Sequence, residues 1–228
     1  MARLATVSPE QILSAAALEF AERGYAGARV DRIARRAGVN KAMLYYHFGS
    51  KQALYRALLR QIFSRAADRI QPIATASLPA DAKIDQVIAT MAGFIEDHAF
   101  FPAIMMREVA EGGAHLDPDT LKALARIPSA VGTIVQQGIA DGSVRPMHPI
   151  AAYFTMFAPI VMYLAGEPIR KELAAHHLTN VASLTPEVFV AQLKQTIRLG
   201  FAIRETPRRA RRGRIRSHNR PSTGRKRL

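Results

Sequence analysis

The stretch GVNKAMLYYHFGSK, Gly38 to Lys51, sets three aromatic rings and a histidine between two lysines. Asn40 is a natural N-cap for a helix from Lys41 to His47. On such a helix Leu44 and Phe48 fall four residues apart, on a face able to pack against Ile33, Ala34 and Val39. Lys41, Ala42, Tyr45 and Tyr46 then point elsewhere. A short helix fits Val30 to Ala37, and only Gly38-Val39-Asn40 separates it from the next, which is helix-turn-helix spacing with glycine in the turn. Tyrosines on an exposed short helix, with Lys41 at its start and His47 and Lys51 at its end, suit a double-stranded DNA partner. The rings offer bodies for sugars and thymine methyls, while hydroxyls and amines reach phosphates and base edges. An aromatic run at helical spacing is more often core, so one tyrosine is expected to pack against the first helix.

Outward from this stretch the pattern stays helical. Ser8-Pro9-Glu10-Gln11 combines an N-cap hydroxyl, proline in the first turn and a capping-box glutamine, and Gly24 offers a left-handed stop. Ser50 can cap a longer helix towards about Ile70, with Pro72 marking its end. Five further segments read as helices, near residues 81–99, 102–111, 117–141, 148–165 and 185–203, punctuated by Pro and Gly, including Gly166-Glu167-Pro168. The expectation is an all-α fold of about nine helices. Residues 1–50 form a three-helix DNA-binding domain, residues 51–203 a helical regulatory and dimerisation domain, and residues 204–228 a disordered Arg-rich tail.

Charge follows the same division. Residues 1–70 carry 12 Lys/Arg against 5 Asp/Glu, residues 71–203 carry 9 against 12, and residues 204–228 carry 11 against 1. A basic head and tail around a mildly acidic middle point to a polyanion at the ends. For the tail, phosphate contact through counterion release and a solvated basic extension are equally open.

Several function classes are excluded by what the residues lack. The chain has no cysteine, which removes disulfides, thiolate metal sites and cysteine nucleophiles and fits a reducing cytoplasm. Glu10, Glu19, Glu22 and Arg23 interrupt any secretory core. Pro146 to Gly166 is a 21-residue run without formal charge, but Pro149 and Pro159 divide it, so a helix buried in protein is expected rather than a membrane span. No nucleophile elbow, phosphate-binding glycine loop or metalloprotease spacing is present, and neither enzyme activity nor a cofactor is expected. His98, Glu108, Glu111 and His115 can be drawn as metal ligands, yet Gly112-Gly113 breaks the helix that would unite the last two, and His176 and His177 are adjacent. No metal site is expected.

The segments "IL.AA...F...GY" from Ile12, "IA..AGV" from Ile33, "LYYHF" from Leu44 and "SK..L" from Ser50 together resemble the DNA-binding domain of TetR-type transcriptional regulators. More weakly, Gly138 to Arg145 followed by Pro149-Ile-Ala-Ala is similar to the passage before the dimerisation helices of such regulators. The resemblance implies a homodimer, each subunit offering one recognition helix to a palindromic operator, and a helical ligand domain that sets the spacing of the two heads. By position it places Lys41, Ala42, Tyr45, Tyr46 and His47 on the recognition helix and Lys51 at a phosphate. Arg29 stands where the family has Ser or Thr, so a backbone contact is retained as an expectation and capping is not.

In the middle domain Met91, Phe94, Ile95, His98, Phe101, Met105 and Met106, with Tyr153 and Phe157, can line a deformable cavity for a small apolar or aromatic effector, or can be ordinary core. Wide apolar faces carrying Val161, Leu164, Phe189, Leu193, Ile197 and Phe201 suit a four-helix interface between two copies. The function expected is a dimeric, cytoplasmic, ligand-released repressor. The alternative is an architectural or cell-cycle DNA-binding protein of the same fold with no effector.

Overall fold

The computed structural model describes residues 8–202. The expectation for the Arg-rich tail, residues 204–228, lies outside the described residues. Within them the chain forms ten helices and no strand. The head holds α1 (Pro9–Gly27), α2 (Val30–Ala37) and α3 (Lys41–Phe48), and α4 (Lys51–Thr75) leads into the body. There follow α5 (Ala80–Asp97), α6 (Phe101–Ala110), α7 (Pro118–Asp141), α8 (Pro149–Ala165), α9 (Glu167–Ala175) and α10 (Pro186–Phe201).

The expected capping box closes α1. Gln11 N–H donates to Ser8 Oγ at 3.3 Å, and Ser8 N–H donates to Gln11 Oε1 at 3.0 Å. Gly24 does not stop the helix but kinks it, at φ 68° and ψ 174°, after which one more turn runs to Gly27. A β-carbon at Gly24 would lie 2.8 Å from Arg107 Nη1 and displace that guanidinium, and the positive φ would strain any other residue there. Ile12, Ala16 and Phe20 turn inward against Ile33, Leu44, Leu54 and Leu58.

The missing side-chain cap of α2 is supplied from another helix. Arg29 makes no cap, as its residue type implies, but its own N–H donates to Glu19 Oε1 at 3.2 Å. Arg32 Nε donates to the same oxygen at 2.6 Å and its Nη2 to the Gly27 carbonyl at 2.8 Å. Glu19 is only 2% exposed. A buried carboxylate needs such donors, and it also sits favourably at the positive end of α2.

Two expected boundaries move. α4 runs past Pro72 to Thr75, because a proline in the last turn costs one backbone bond that the packing of Ile70 and Ala74 offsets. Its end is fastened by Lys83, which is buried and donates to the Ala74 carbonyl at 2.9 Å and to Gln137 Oε1 at 2.7 Å. α9 was not expected. Gly166-Glu167-Pro168 reads as punctuation, yet proline near the first position of a helix is favourable, and here it starts one.

The body is built on α4 and α7, which pack chiefly on each other, with α8 against α7, α5 against both, and α10 against α5 and α8. The 21-residue uncharged run becomes α8 and its flanks. No single helix of the described residues is long and apolar enough to cross a membrane.

At Gly138 a β-carbon would lie 2.4 Å from Val144 Cγ2 and 2.9 Å from Ala80 Cβ. Gly138→Ala is therefore expected to lower stability by about 1–3 kcal/mol, read as a shift of the urea midpoint at unchanged slope. For Glu19, burial raises the carboxyl pKa, but the Arg32 guanidinium and the Arg29 amide outweigh it and hold the group below its ordinary value of 4.5. Stability from such a group is present above that value and lost as pH falls through the lowered one. Glu19→Gln is expected to cost about 1–3 kcal/mol at neutral pH. The gap to the parent should close in acid, and equal urea midpoints at neutral pH would contradict this role.

Candidate functional site

α3 is held by Asn40, whose Oδ1 accepts from Met43 N–H at 2.7 Å, and it ends on Gly49 at φ 74°. Of its eight residues only Leu44 is buried, with Phe48 half-buried against the core. Lys41, Ala42, Tyr45, Tyr46 and His47 are all exposed, Tyr46 at 83%. Neither tyrosine of this helix packs against α1, contrary to expectation. The ring that does is Tyr55 on α4, whose centroid lies 4.6 Å from that of Phe20.

Polar neighbours shape the outward face. Lys41 Nζ lies 3.0 Å from Asp31 Oδ1 on α2 and 6.0 Å from the centre of the Tyr45 ring. The Asp31 hydrogen bond and charge raise the Lys41 pKa, keeping the ammonium charged. Tyr46 and His47 meet edge to face at 5.4 Å. Arg29 is exposed at the start of α2, beside this surface in sequence and charge.

Lys51 is less free than its position implies. Its Nζ donates to the Ala26 carbonyl at 3.3 Å and stands 4.7 Å over the Tyr25 ring, and burial lowers its pKa. The side chain fastens the last turn of α1 to the first turn of α4.

In the body, a cavity of about 280 Å³ opens among α4, α5, α6, α7 and α8. Met91, Ile95, Phe101, Met105, Met106, Tyr153 and Phe157 line it, joined by Phe63, Ala66, Leu124 and Ile127 from α4 and α7. Phe94 and His98 do not reach its wall. Phe94 is wholly buried in the core, and His98 stacks on it at 4.3 Å with Nδ1 2.7 Å from the Phe94 carbonyl oxygen. Burial raises the pKa of Tyr153 in this wall, so its hydroxyl stays neutral and can donate. The residues contributed by α4 and α7 were missed because nothing in their spacing separates cavity wall from core.

The residues expected at a dimer face are distributed differently. Leu193, Ile197 and Phe201 are buried within the chain, Phe189 stacks on Tyr163 at 4.1 Å, and Val161 lines the cavity. Leu164 is half-buried. These side chains are inward because α10 uses its strongest apolar stripe on α5 and α8. The apolar residues left outward are Ile150, Phe154 and Met162 on α8 and Val188 and Leu199 on α10.

The expectation that Gly112-Gly113 keeps Glu111 and His115 apart is also corrected. Both glycines adopt positive φ, 67° and 73°, and turn the chain back on itself. One ligand atom from each of Glu108, Glu111 and His115 falls within 4.8 Å of the others. His98 is not part of this group.

Comparison with known proteins agrees with the geometry. Residues 12–58 match the family model for bacterial regulatory proteins of the tetR family. The chain is 30% identical over 195 residues to the HTH-type transcriptional repressor NicS of Pseudomonas putida, covering 77% of this chain and 89% of that one. It is 27% identical over 180 residues to the HTH-type transcriptional regulator RutR of Escherichia coli K12, covering 75% and 84%. Among solved structures, FadR of Bacillus subtilis in complex with stearoyl-CoA shares the fold with a TM-score of 0.64 at 19% identity, over 84% of this chain and 96% of that one. With a helix-turn-helix head, a helical body and a relative of this identity and coverage, the chain belongs to the TetR family of transcriptional regulators.

Proposed function

We propose that the protein is a homodimeric operator-binding repressor released by a small apolar effector. The observation that carries this reading is α3, which buries one side chain and turns Lys41, Ala42, Tyr45, Tyr46 and His47 outward beside the basic α2. A helix so exposed enters the major groove through side chains near its N-terminus, with Arg29 and the free edge of the α2 to α3 turn on the backbone. Lys41 has its charge partly balanced by Asp31, so DNA binding must draw it away from that partner or share it.

Duplex recognition by a palindrome needs two such helices about 34 Å apart. The outward stripe Ile150, Phe154, Ala158 and Met162 on α8, with Val188 and Leu199 on α10, supports pairing of two chains through these helices, because left in water it is a contiguous apolar patch. The cavity lies directly behind that stripe, since Phe154, Ala158 and Met162 also form part of its wall. Its lining is almost entirely apolar and rich in Met and Phe, and its size sits near the lower end of small-molecule sites, roughly 300–1,000 Å³. The stearoyl-CoA bound by the Bacillus subtilis relative and the repressor role of the Pseudomonas putida relative support an apolar effector and negative control.

Release follows as a population shift. The effector must bind better to a conformation whose heads are wrongly spaced, and equal affinity for both conformations shifts nothing. Tyr46→Ala and Lys41→Ala are expected to weaken binding to duplex carrying the chain's own upstream region by about tenfold or more each, consistent with the ~1–3 kcal/mol of a base-edge contact. Light scattering should show the parent's oligomeric state in both variants. Parental DNA affinity in both would remove α3 from the interface. Leu124→Trp, which narrows the cavity from α7 and away from the outward stripe, is expected to keep DNA binding and abolish release by hydrophobic ligands, checked by fluorescence anisotropy of labelled duplex.

A further inference from the structure

We propose that Glu108, Glu111 and His115 form a binding site for a divalent transition-metal ion of the zinc class, separate from the apolar cavity. Local chain geometry assembles it. Glu108 and Glu111 are one helical turn apart at the end of α6, and Gly113 N–H donates to the Glu108 carbonyl at 2.7 Å, closing the turn. The two left-handed glycines then return His115 over that end, with Nδ1 2.8 Å from Glu108 Oε1 and 3.5 Å from Glu111 Oε2.

The second observation is an orphan. Glu108 is 2% exposed, its Oε1 accepts from the Tyr55 hydroxyl at 2.8 Å and meets His115, and its Oε2 is buried with no hydrogen-bond partner. Buried carboxylate oxygens are rarely left so, because the desolvation they suffer then goes uncompensated. Among the described residues no lysine or arginine forms an ion pair with Glu108 or Glu111, although Arg56 Nε donates to the His115 carbonyl at 3.3 Å. Two carboxylates thus converge on one imidazole, with no cationic side chain paired to either.

The donor types select the ion. One imidazole nitrogen and two carboxylate oxygens suit zinc and its neighbours, and three protein ligands leave a fourth position for water. Glu111 is 44% exposed on its side chain, so the ion enters from solvent past it. The inner ligands are already oriented. Tyr55 fixes Glu108, and the rings of Tyr25 and Tyr55 flank His115 at 4.0 and 5.2 Å.

This position gives the ion something to do. Its ligands lie on α6 and the link to α7, while the groups that hold them lie on α1 and α4, so occupancy ties the body to the DNA-binding head. An effect on operator affinity rests on the repressor reading above; the binding of the ion does not.

The test is calorimetric titration of the metal-stripped full chain with zinc chloride, with magnesium chloride as the comparison ion. The expected result is one zinc per chain, a melting temperature raised by zinc, and no comparable response to magnesium. Glu111→Gln, a half-exposed position where the fold is expected to survive by circular dichroism, should bind at least tenfold more weakly, as should His115→Gln. No zinc heat, equal response to magnesium, or zinc affinity unchanged in Glu111→Gln would each overturn the proposal; the last would place the ion elsewhere. Operator affinity of zinc-loaded and stripped protein is measured alongside. Loss of DNA binding in both forms would defeat the repressor reading and leave the metal site standing.

Discussion

The head and the body share one unbroken rod. α4 is 25 residues long, about 37 Å at 1.5 Å per residue, with its first turn capped by Ser50 in the head and its last turn fastened by Lys83 in the body. Proline enters only near its end, so nothing along it can flex cheaply. Leu54, Leu58, Leu59, Ile62, Phe63 and Ile70 are buried along its length, first against the head and then against α7 and α5. A shift of the body end of this rod must therefore reappear at α3. The same helix contributes Phe63 and Ala66 to the cavity wall. On the proposed reading, an effector that props the cavity open would press on this lever, with no separate relay needed.

Much of the head was legible because its signals are local. Asn40, Ser50 and Ser8 cap the helices that begin beside them, and Gly38 ends α2 in the left-handed region where glycine is the least costly residue. What the sequence hides is contact at a distance. Glu19 reads as one more surface acid on α1, and only the folded chain shows it capping a helix ten residues later. Gly112-Gly113 reads as a break, and a break and a tight reversal look the same in one dimension. Pro168 failed in the opposite sense, since a residue that ends most helices is welcome where one begins.

The body was harder to read for a different reason. Apolar spacing says which residues leave water, not what covers them. Met91, Ile95 and Phe101 line the cavity and Phe94 fills the core, although all four share one apolar run. Likewise Leu193, Ile197 and Phe201 form the stronger stripe of α10 and were for that reason taken for the partner-facing side. The helix spends that stripe on its own chain and shows the weaker one, with Val188 and Leu199, outward. A core in a chain of this size claims the best apolar residues first, and surfaces for association are assembled from the remainder.

The join between head and body is made by a few named side chains. Arg107 of α6 donates to the Ala21 carbonyl and lies against the bare backbone of Gly24, Tyr25 packs between Lys51 and His115, and Tyr55 reaches from α4 to Glu108. The contacts of Arg107 and Tyr25 cross from one unit to the other, and the Tyr55–Glu108 bond lies beside them within the body. Gly24 and Tyr25 belong to the pattern this chain shares with the family, so grafting another regulator's first fifty residues onto this body can keep these two seats while Arg107, Glu108 and His115 stay with the body. On the proposed reading, a chimaera cut at residue 50 keeps its response only if the incoming first helix kinks in the same place and seats against Arg107 of α6.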